Sequence, residues 1–537
     1  MRNEKDIIAE LNEYSSLIDF LNVLIYLVEK NLNCSVDELS NQNFRDLLNE
    51  NELAFLFGLW IKNRHKKKPN KDNARTIADK VHNLMDEYHL TFLKYFPKPE
   101  KFENYHIEFR TNPESVKETI FYAPSGAYDY QFLNFLETKY SKDKLWLIEN
   151  KNFNPKDAKN LYVNLKSILN YKLNTKEFGE NRIELYSLKF NNFIFKKNPN
   201  FIKILDSFST YDTEILNQDF NDFGDLNHFR IKPVIKTKDS YIIPLPYLLS
   251  EAIYDSPFYW MIDTKEYRSK AQKNRGDIAE HIVNEILSRK IESKFIFSEV
   301  EVKKVRTKTL TDLDICIVKD NKMLIFQVKS KRLSQLSKNG NIDSFQKDFK
   351  LAVQDAHKQA TLPYDLILNN ECYFQLKENS EKIEFGKIDE IYSACVVLDS
   401  YPSITSHTRL FFHDEKDITP ITMSIFDLEI IVKYLGDFER LFDYFKKRTI
   451  NSKYFIANSE LDYLNAYLKN MLDRKANSDI MSFDPSFAQF FDSNYYYPLM
   501  REYETKFPEQ IKDIGRNDFC FCGSGIKFKK CCHNNVW

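Results

Sequence analysis

Apolar positions recur three and four apart over the first part of the chain. Ile7, Leu11, Leu17, Leu21 and Leu24 share a helical face, and residues 55–60 continue the spacing, so residues 1 to about 95 predict amphipathic helices. From about 100 to 225, short apolar runs (145–148 and 190–195) are separated by Asn- and Lys-rich connectors. Residues 229–248 predict a strand hairpin. Between 270 and 450 helix and strand patterns alternate, as in an α/β domain. Residues 455–475 read as helical, and a polar, Pro-containing stretch then leads to a cysteine-rich end. The expectation is a multi-domain α+β chain. A helix-rich or mixed region covers 1–225, a central α/β domain 226–450, a helical linker 451–511 and a small module 512–537.

Within the central domain the pattern becomes specific. Residues 276–290 place Ile278, Ala279, Ile282, Val283, Ile286 and Leu287 on one helical arc. Glu280 falls at one edge of that arc beside Leu287; Glu285, at the opposite edge, is its control. Residues 311–318 alternate, with Leu313, Ile315 and Ile317 on one face and Asp312, Asp314 and Cys316 on the other. Residues 323–330 alternate too, with Gln327 and Lys329 on the face of Ile325. Asp320 and Asn321 both tolerate the left-handed conformation and predict a two-residue turn. That turn pairs 319 with 322, which sets Asp314 opposite Gln327 and Asp312 opposite Lys329. A slip of one residue would undo the convergence. Residues 344–362 predict a helix with Phe345, Phe349, Ala352, Val353, Ala356 and Ala360 inward, and Gln354 and Lys358 on its solvated side. Residues 392–399 read as a buried strand, and 423–448 as a packing helix or helix pair.

Composition narrows the class. A chain of 537 residues holds two to four domains, and 43% apolar with 29% charged residues excludes a disordered one. Lys+Arg 77 against Asp+Glu 78 means that any nucleic-acid surface is a local patch. The basic run Lys62, Arg64, Lys66, Lys67 and Lys68 reads first as a solvated loop. The apolar runs 16–28 and 53–60 are too short or too interrupted to span a bilayer. With no secretory signal, Cys34, Cys316, Cys372 and Cys395 read as reduced thiols, and a cytoplasmic protein without a membrane partner is expected.

The other four cysteines stand together. Residues 515–537 hold a Cys-x-Cys pair (Cys520, Cys522), a Gly-Ser-Gly turn, a basic run and Cys531-Cys532-His533. Four soft ligands at this spacing suit one tetrahedral zinc ion, which would supply the folding energy that so short a segment lacks. A disulfide cluster is the alternative. The stretch resembles the SEC-C motif, named for the C-terminus of the SecA translocation ATPase. That resemblance implies Zn²⁺ held by Cys520, Cys522, Cys531 and Cys532, with His533 able to replace Cys532.

A carboxylate, an amide oxygen and a lysine on one patch of sheet suit a hard divalent cation beside a cationic group. A Glu-bearing helix, a strand Asp and a strand ending Gln327-Val328-Lys329 resemble the PD-(D/E)xK, or restriction-endonuclease-like, nucleases of the Mrr-type branch. The resemblance implies Mg²⁺ or Mn²⁺ held by Glu280, Asp314 and Gln327, with Lys329 as the catalytic lysine. Asp312 is the competing aspartate. The whole then reads as a metal-dependent endonuclease acting on nucleic acid, DNA in preference to RNA, in a bacterial accessory or anti-phage defence role. Lys303, Lys304, Arg306 and Lys308 near the site, and Lys527, Lys529 and Lys530 in the tail, suit a phosphate backbone. A homodimer or a protein partner would engage the N-terminal region or the zinc tail. The alternative is a non-catalytic binding protein with a degenerate nuclease fold and a zinc docking tail; an exposed hairpin with solvated Asp and Lys is the plainest reading of all.

Overall fold

The computed structural model describes residues 2–32, 47–93, 117–118, 120–122, 126–175, 182–211, 213–305, 308–338, 341–401, 404–405, 408, 420–452, 454–457, 459–473, 481–483, 486–505, 513–522 and 524–533. Cys34 and Arg306 lie outside them. The chain is mixed α/β and forms two units. One comprises residues 1–96, 132–268 and 499–537; the other comprises 97–131 and 269–498. No helix among the described residues is long and apolar enough to cross a membrane.

The first unit begins with helices α1 (Glu4–Tyr14), α2 (Phe20–Leu32), α3 (Glu50–Asn63) and α4 (Ala74–Leu93). α3 starts at an Asn49/Glu52 capping box and is buried from Glu52 to Ile61. A helix apolar on every side belongs at the centre of its domain. Around it Phe55, Tyr88, Phe220 and Phe223 interlock, and Phe57 stacks on Phe229 at 4.5 Å. Gly58 is the close approach: a Cβ there would lie 2.6 Å from the Phe220 ring and 2.7 Å from Asn227 Oδ1. The basic run that ends α3 is no plain solvated loop. Arg64 is buried and donates to the carbonyls of Tyr211 and Glu214, while Lys62 Nζ reaches Phe220 O at 2.8 Å. Only residues 65–68 face solvent.

Beyond α5 (Pro155–Thr175), a four-stranded sheet of order β1-β4-β3-β2 uses β1 (Ser187–Lys189), β2 (Ser209–Tyr211), β3 (Val234–Lys236) and β4 (Ser240–Ile242). β3 and β4 are the hairpin read from residues 229–248, and the hairpin belongs to this unit. Helix α6 (Pro246–Ile262) follows.

The second unit carries a seven-stranded sheet of order β11-β10-β7-β6-β5-β8-β9. Its strands are β5 (Ile296–Val305), β6 (Lys308–Lys319), β7 (Lys322–Lys329), β8 (Tyr373–Leu376), β9 (Lys382–Ile383), β10 (Glu390–Val397) and β11 (Ile421–Ser424). β5, β6 and β7 run antiparallel in succession, whereas β10 lies parallel to both β7 and β11. Helix α7 (Arg268–Ser288) precedes β5, and its six predicted inward residues are all buried. Between β7 and β8 come α8 (Ile342–Phe349), a π-helical turn at Lys350–Gln354, and α9 (Asp355–Thr361). The single helix expected over 344–362 is thus interrupted, yet all its predicted inward residues are buried. After β11, the Ser424/Asp427 capping box starts α10 (Ile425–Leu435), Gly436 at φ 79° ends it, and α11 (Phe438–Ile450) completes the helix pair.

Candidate functional site

The β6–β7 turn sets the site. Asp320 and Asn321 have φ of 48° and 62°, the pair of positive values that a type I′ turn requires, and Lys319 pairs with Lys322 as the sequence predicts. The ladder runs back to Ile315↔Phe326 and ends there. Neither Asp314 with Gln327 nor Asp312 with Lys329 is therefore a ladder pair, and side chains take over the contacts there. Asp314 Oδ2 accepts from the Val328 N–H at 2.7 Å, and Gln327 Nε2 donates to the Asp312 carbonyl at 2.9 Å. Gln359, on α9, donates to that same carbonyl at 3.0 Å and accepts from Lys329 Nζ at 3.1 Å.

One main-chain oxygen thus orients two amides. Because both Nε2 groups point at Asp312 O, both Oε1 atoms point away. Gln359 Oε1 meets the Lys329 ammonium; Gln327 Oε1 is buried and meets no hydrogen-bond partner. An unsatisfied amide oxygen on a side chain that is 0% exposed costs about 1–3 kcal/mol.

The charged groups gather nearby. Lys329 Nζ lies 4.0 Å from Asp314 Oδ2. Burial raises the Asp314 carboxyl above the usual carboxylate range, against the pull of Lys329 and the Val328 N–H. Burial, then the negative charge of Asp314, pushes Glu280 up to about 7, with Glu299 and Asp277 adding to the rise and Lys329 opposing it. Glu285, the control, is exposed and pairs with Arg289 at 3.1 Å. Of the two aspartates, Asp314 is the more enclosed; Asp312 turns its carboxylate to Lys377 at 3.3 Å. Lys303 is engaged by Glu301 at 2.9 Å.

Two contributors carried no sequence signal. Gln359 sits one residue before the inward Ala360 in an unremarkable helix pattern. Glu299 faces the unpaired position opposite Asp314, between the pairs Ser298↔Ile315 and Val300↔Leu313, and takes φ 49°. Residues other than Gly, Asn and Asp take that conformation uncommonly. The end of β7 is pinned from behind. Arg275 Nε donates to Ser330 O at 3.1 Å, and the Arg275 and Arg332 guanidinium groups share the buried Asp399. Cys395, the ladder neighbour of Gln327, donates its thiol to Ala352 O in the π-helical turn at 2.9 Å.

The cysteine cluster is a separate centre, in the first unit. Sγ atoms of Cys520, Cys522, Cys531 and Cys532 all lie within 4.8 Å of one another. The separations Cys522–Cys531 of 3.5 Å and Cys531–Cys532 of 3.7 Å are close to the edge, about 3.8 Å, of a tetrahedron with Zn–S of about 2.3 Å. The Cys520 N–H to Ile526 O and Phe528 N–H to Asp518 O bonds, each 2.8 Å, fold the two halves together, and Gly525 at φ 71° makes the turn. Donation from the thiols of Cys520 and Cys532 pulls Cys522 down, and the same sharing raises Cys520. His533 is not in the set; its ring lies 5.3 Å from Phe528, edge to face.

Residues 516–534 match the SEC-C motif. The chain is also similar to the protein translocase subunit SecA of Lawsonia intracellularis, 54% identical over 41 residues, which is 7% of this chain and 5% of that protein. No solved structure matches. The SEC-C match and the four-cysteine geometry together fit a zinc-binding module at the C-terminal end of the sequence.

Proposed function

We propose that the second unit is a divalent-metal-dependent endonuclease, restriction-endonuclease-like with a Gln-x-Lys variant of the PD-(D/E)xK site, hydrolysing phosphodiester bonds of DNA. The observation that carries this reading is Gln327 Oε1. It is a buried amide oxygen with no partner, held away from its nearest carbonyl, two residues from Lys329 and across the strand opening from Asp314. A buried acceptor left open fits a cation better than it fits a packing role. With Glu280 and Asp314 it makes an all-oxygen donor set, the kind that Mg²⁺ or Mn²⁺ takes. When bound, such an ion polarises a phosphoryl oxygen and lowers the pKa of its water.

This chain's own residues supply the rest. Glu280 and Asp314 bring two carboxylates into a largely buried place; burial raises both, and the charge of Asp314 raises Glu280 further. Lys329 sets an ammonium beside Asp314, where it neutralises charge gathering on the phosphoryl group. Gln359 holds that ammonium in place. Exposed Lys527, Lys529 and Lys530 on the zinc module offer phosphate contacts. A nuclease carrying such a module suits a bacterial accessory or defence effector, and cutting both strands of a duplex calls for a homodimer.

The test is cleavage of supercoiled plasmid, single-stranded DNA and RNA with Mg²⁺ or Mn²⁺, wild type beside Asp314→Asn and Lys329→Ala. Both variants should lose at least about 10²-fold in rate while keeping their circular dichroism and zinc content. No cleavage of any substrate by folded, zinc-loaded wild type would leave the reading of a non-catalytic nucleic-acid-binding protein in its place.

A further inference from the structure

The zinc module is covered by the unit it belongs to, and that cover has a consequence for the metal. Phe521 stands between two ligands, Cys520 and Cys522, and is 0% exposed. So few residues cannot bury a ring unaided. Tyr171 of α5 packs on it edge to face at 5.1 Å, with Phe528 on another side at 6.2 Å. Asn192, 1% exposed, donates its Nδ2 to the Phe521 carbonyl at 2.9 Å. Its Oδ1 accepts from Ile194 N at 3.1 Å, so the amide is fixed from both ends. Lys196 and Lys197 pair with Asp518 and Asp513 at the rim.

We infer that Tyr171 and Asn192 form an outer shell of the zinc site, so that zinc binding and the docking of the 513–533 segment onto α5 and residues 187–197 are one coupled equilibrium. The backbone around Phe521 is fixed when both flanking thiolates hold one ion, and that fixity presents its ring and carbonyl to Tyr171 and Asn192. Linkage is reciprocal: whatever factor docking adds to zinc affinity, zinc adds to docking. Outer-shell partners of metal ligands are typically worth about 10–100-fold in affinity. The module is thus an occupancy-dependent clasp on its host, and not an independent bead on a tether.

The experiment uses the full chain, zinc-loaded or stripped with chelator under reducing conditions. Hydrogen exchange is followed by mass spectrometry, and zinc release by transfer to a chromophoric chelator. Asn192→Asp keeps the acceptor that caps Ile194, loses the donor to Phe521 and turns a carboxylate toward its carbonyl; Tyr171→Leu removes the ring edge. Stripping zinc should raise exchange in peptides from 155–175 and 187–197 while the 296–329 strands stay protected. Both variants should release zinc about 10-fold faster with one zinc per chain still bound at the start. Unchanged exchange at 155–175 and 187–197 on stripping, or wild-type release rates in either variant, would overturn the inference. Protection across 296–329 serves as the check that each variant is folded.

Discussion

At the scale of single residues, the proposed chemistry turns on where two amides point. Gln327 and Gln359 share the Asp312 carbonyl, which leaves one oxygen for Lys329 and one open. Replacing Gln359 with Leu should therefore act through Lys329: the proposed cleavage should fall about 10-fold or more in kcat with KM little changed, and Gln359→Glu should recover part of the loss. An equal loss in both variants would mean that Gln359 serves packing alone. Glu280 makes a prediction that needs no activity. It ionises at about 7 in the folded chain against 4.5 ordinarily, chiefly through burial. Between those pH values the unfolded chain holds fewer protons, so stability is lost as pH rises through that window and the loss is complete above it. Glu280→Gln should remove the loss. Measured by urea unfolding in chelator, it should gain about 1–2 kcal/mol on wild type between pH 4.5 and pH 8, after discount for partial exposure. Parallel stability curves for the two proteins would contradict the buried-carboxyl account. Alternation placed Asp314, Gln327 and Lys329 together from the sequence. Gln359 was invisible there, because a polar residue beside an inward alanine looks like any helix flank.

At the scale of elements, turn chemistry was the dependable part. Asp320-Asn321 gives a register that hydrophobic alternation alone cannot, since residues that tolerate positive φ mark the turn by themselves. Asn321→Val should force a branched side chain into the left-handed region. A cost of about 1–2 kcal/mol in unfolding free energy is expected, and no change in the denaturation midpoint would refute the turn assignment. Two departures at this scale came from neighbours. The β6–β7 ladder stops at Ile315↔Phe326 because Asp314 and Gln327 use their side chains on backbone groups of the facing strand. The helix over 344–362 takes a π-helical turn whose Ala352 carbonyl is met by Cys395 from β10. Neither thiol nor carbonyl announces that bond locally. In α3, Gly58 is required by a tertiary contact: Gly58→Ala meets Phe220 and Asn227 and should destabilise by about 1–3 kcal/mol in thermal or urea unfolding. An unchanged melting temperature would mean that the ring and amide simply move aside.

At the scale of the whole molecule, the chain builds two units and interleaves them in sequence, so that the cysteine module folds back into the first. Some buried charge stands in paired clusters, among them the Arg275, Asp399 and Arg332 group at the end of β7. Asp399→Asn leaves two enclosed guanidinium groups facing a neutral amide. A loss of about 3–5 kcal/mol is expected in urea unfolding, and wild-type stability would show that the cluster is hydrated and dispensable. By itself the sequence determined the elements whose signals are local: the helical arc with Glu280 at its edge, the β6–β7 turn and its register, and the cysteine spacing that suits one zinc ion. Only the tertiary structure decided what depends on residues far apart in the chain. That includes Gln359 on Lys329, Glu299 across from Asp314, Arg64 on the carbonyls of Tyr211 and Glu214, and Tyr171 and Asn192 on Phe521. The physical reason is the same in each case: periodicity and turn propensity act within a few residues, whereas burial, amide orientation and charge pairing are fixed by whatever the fold brings alongside.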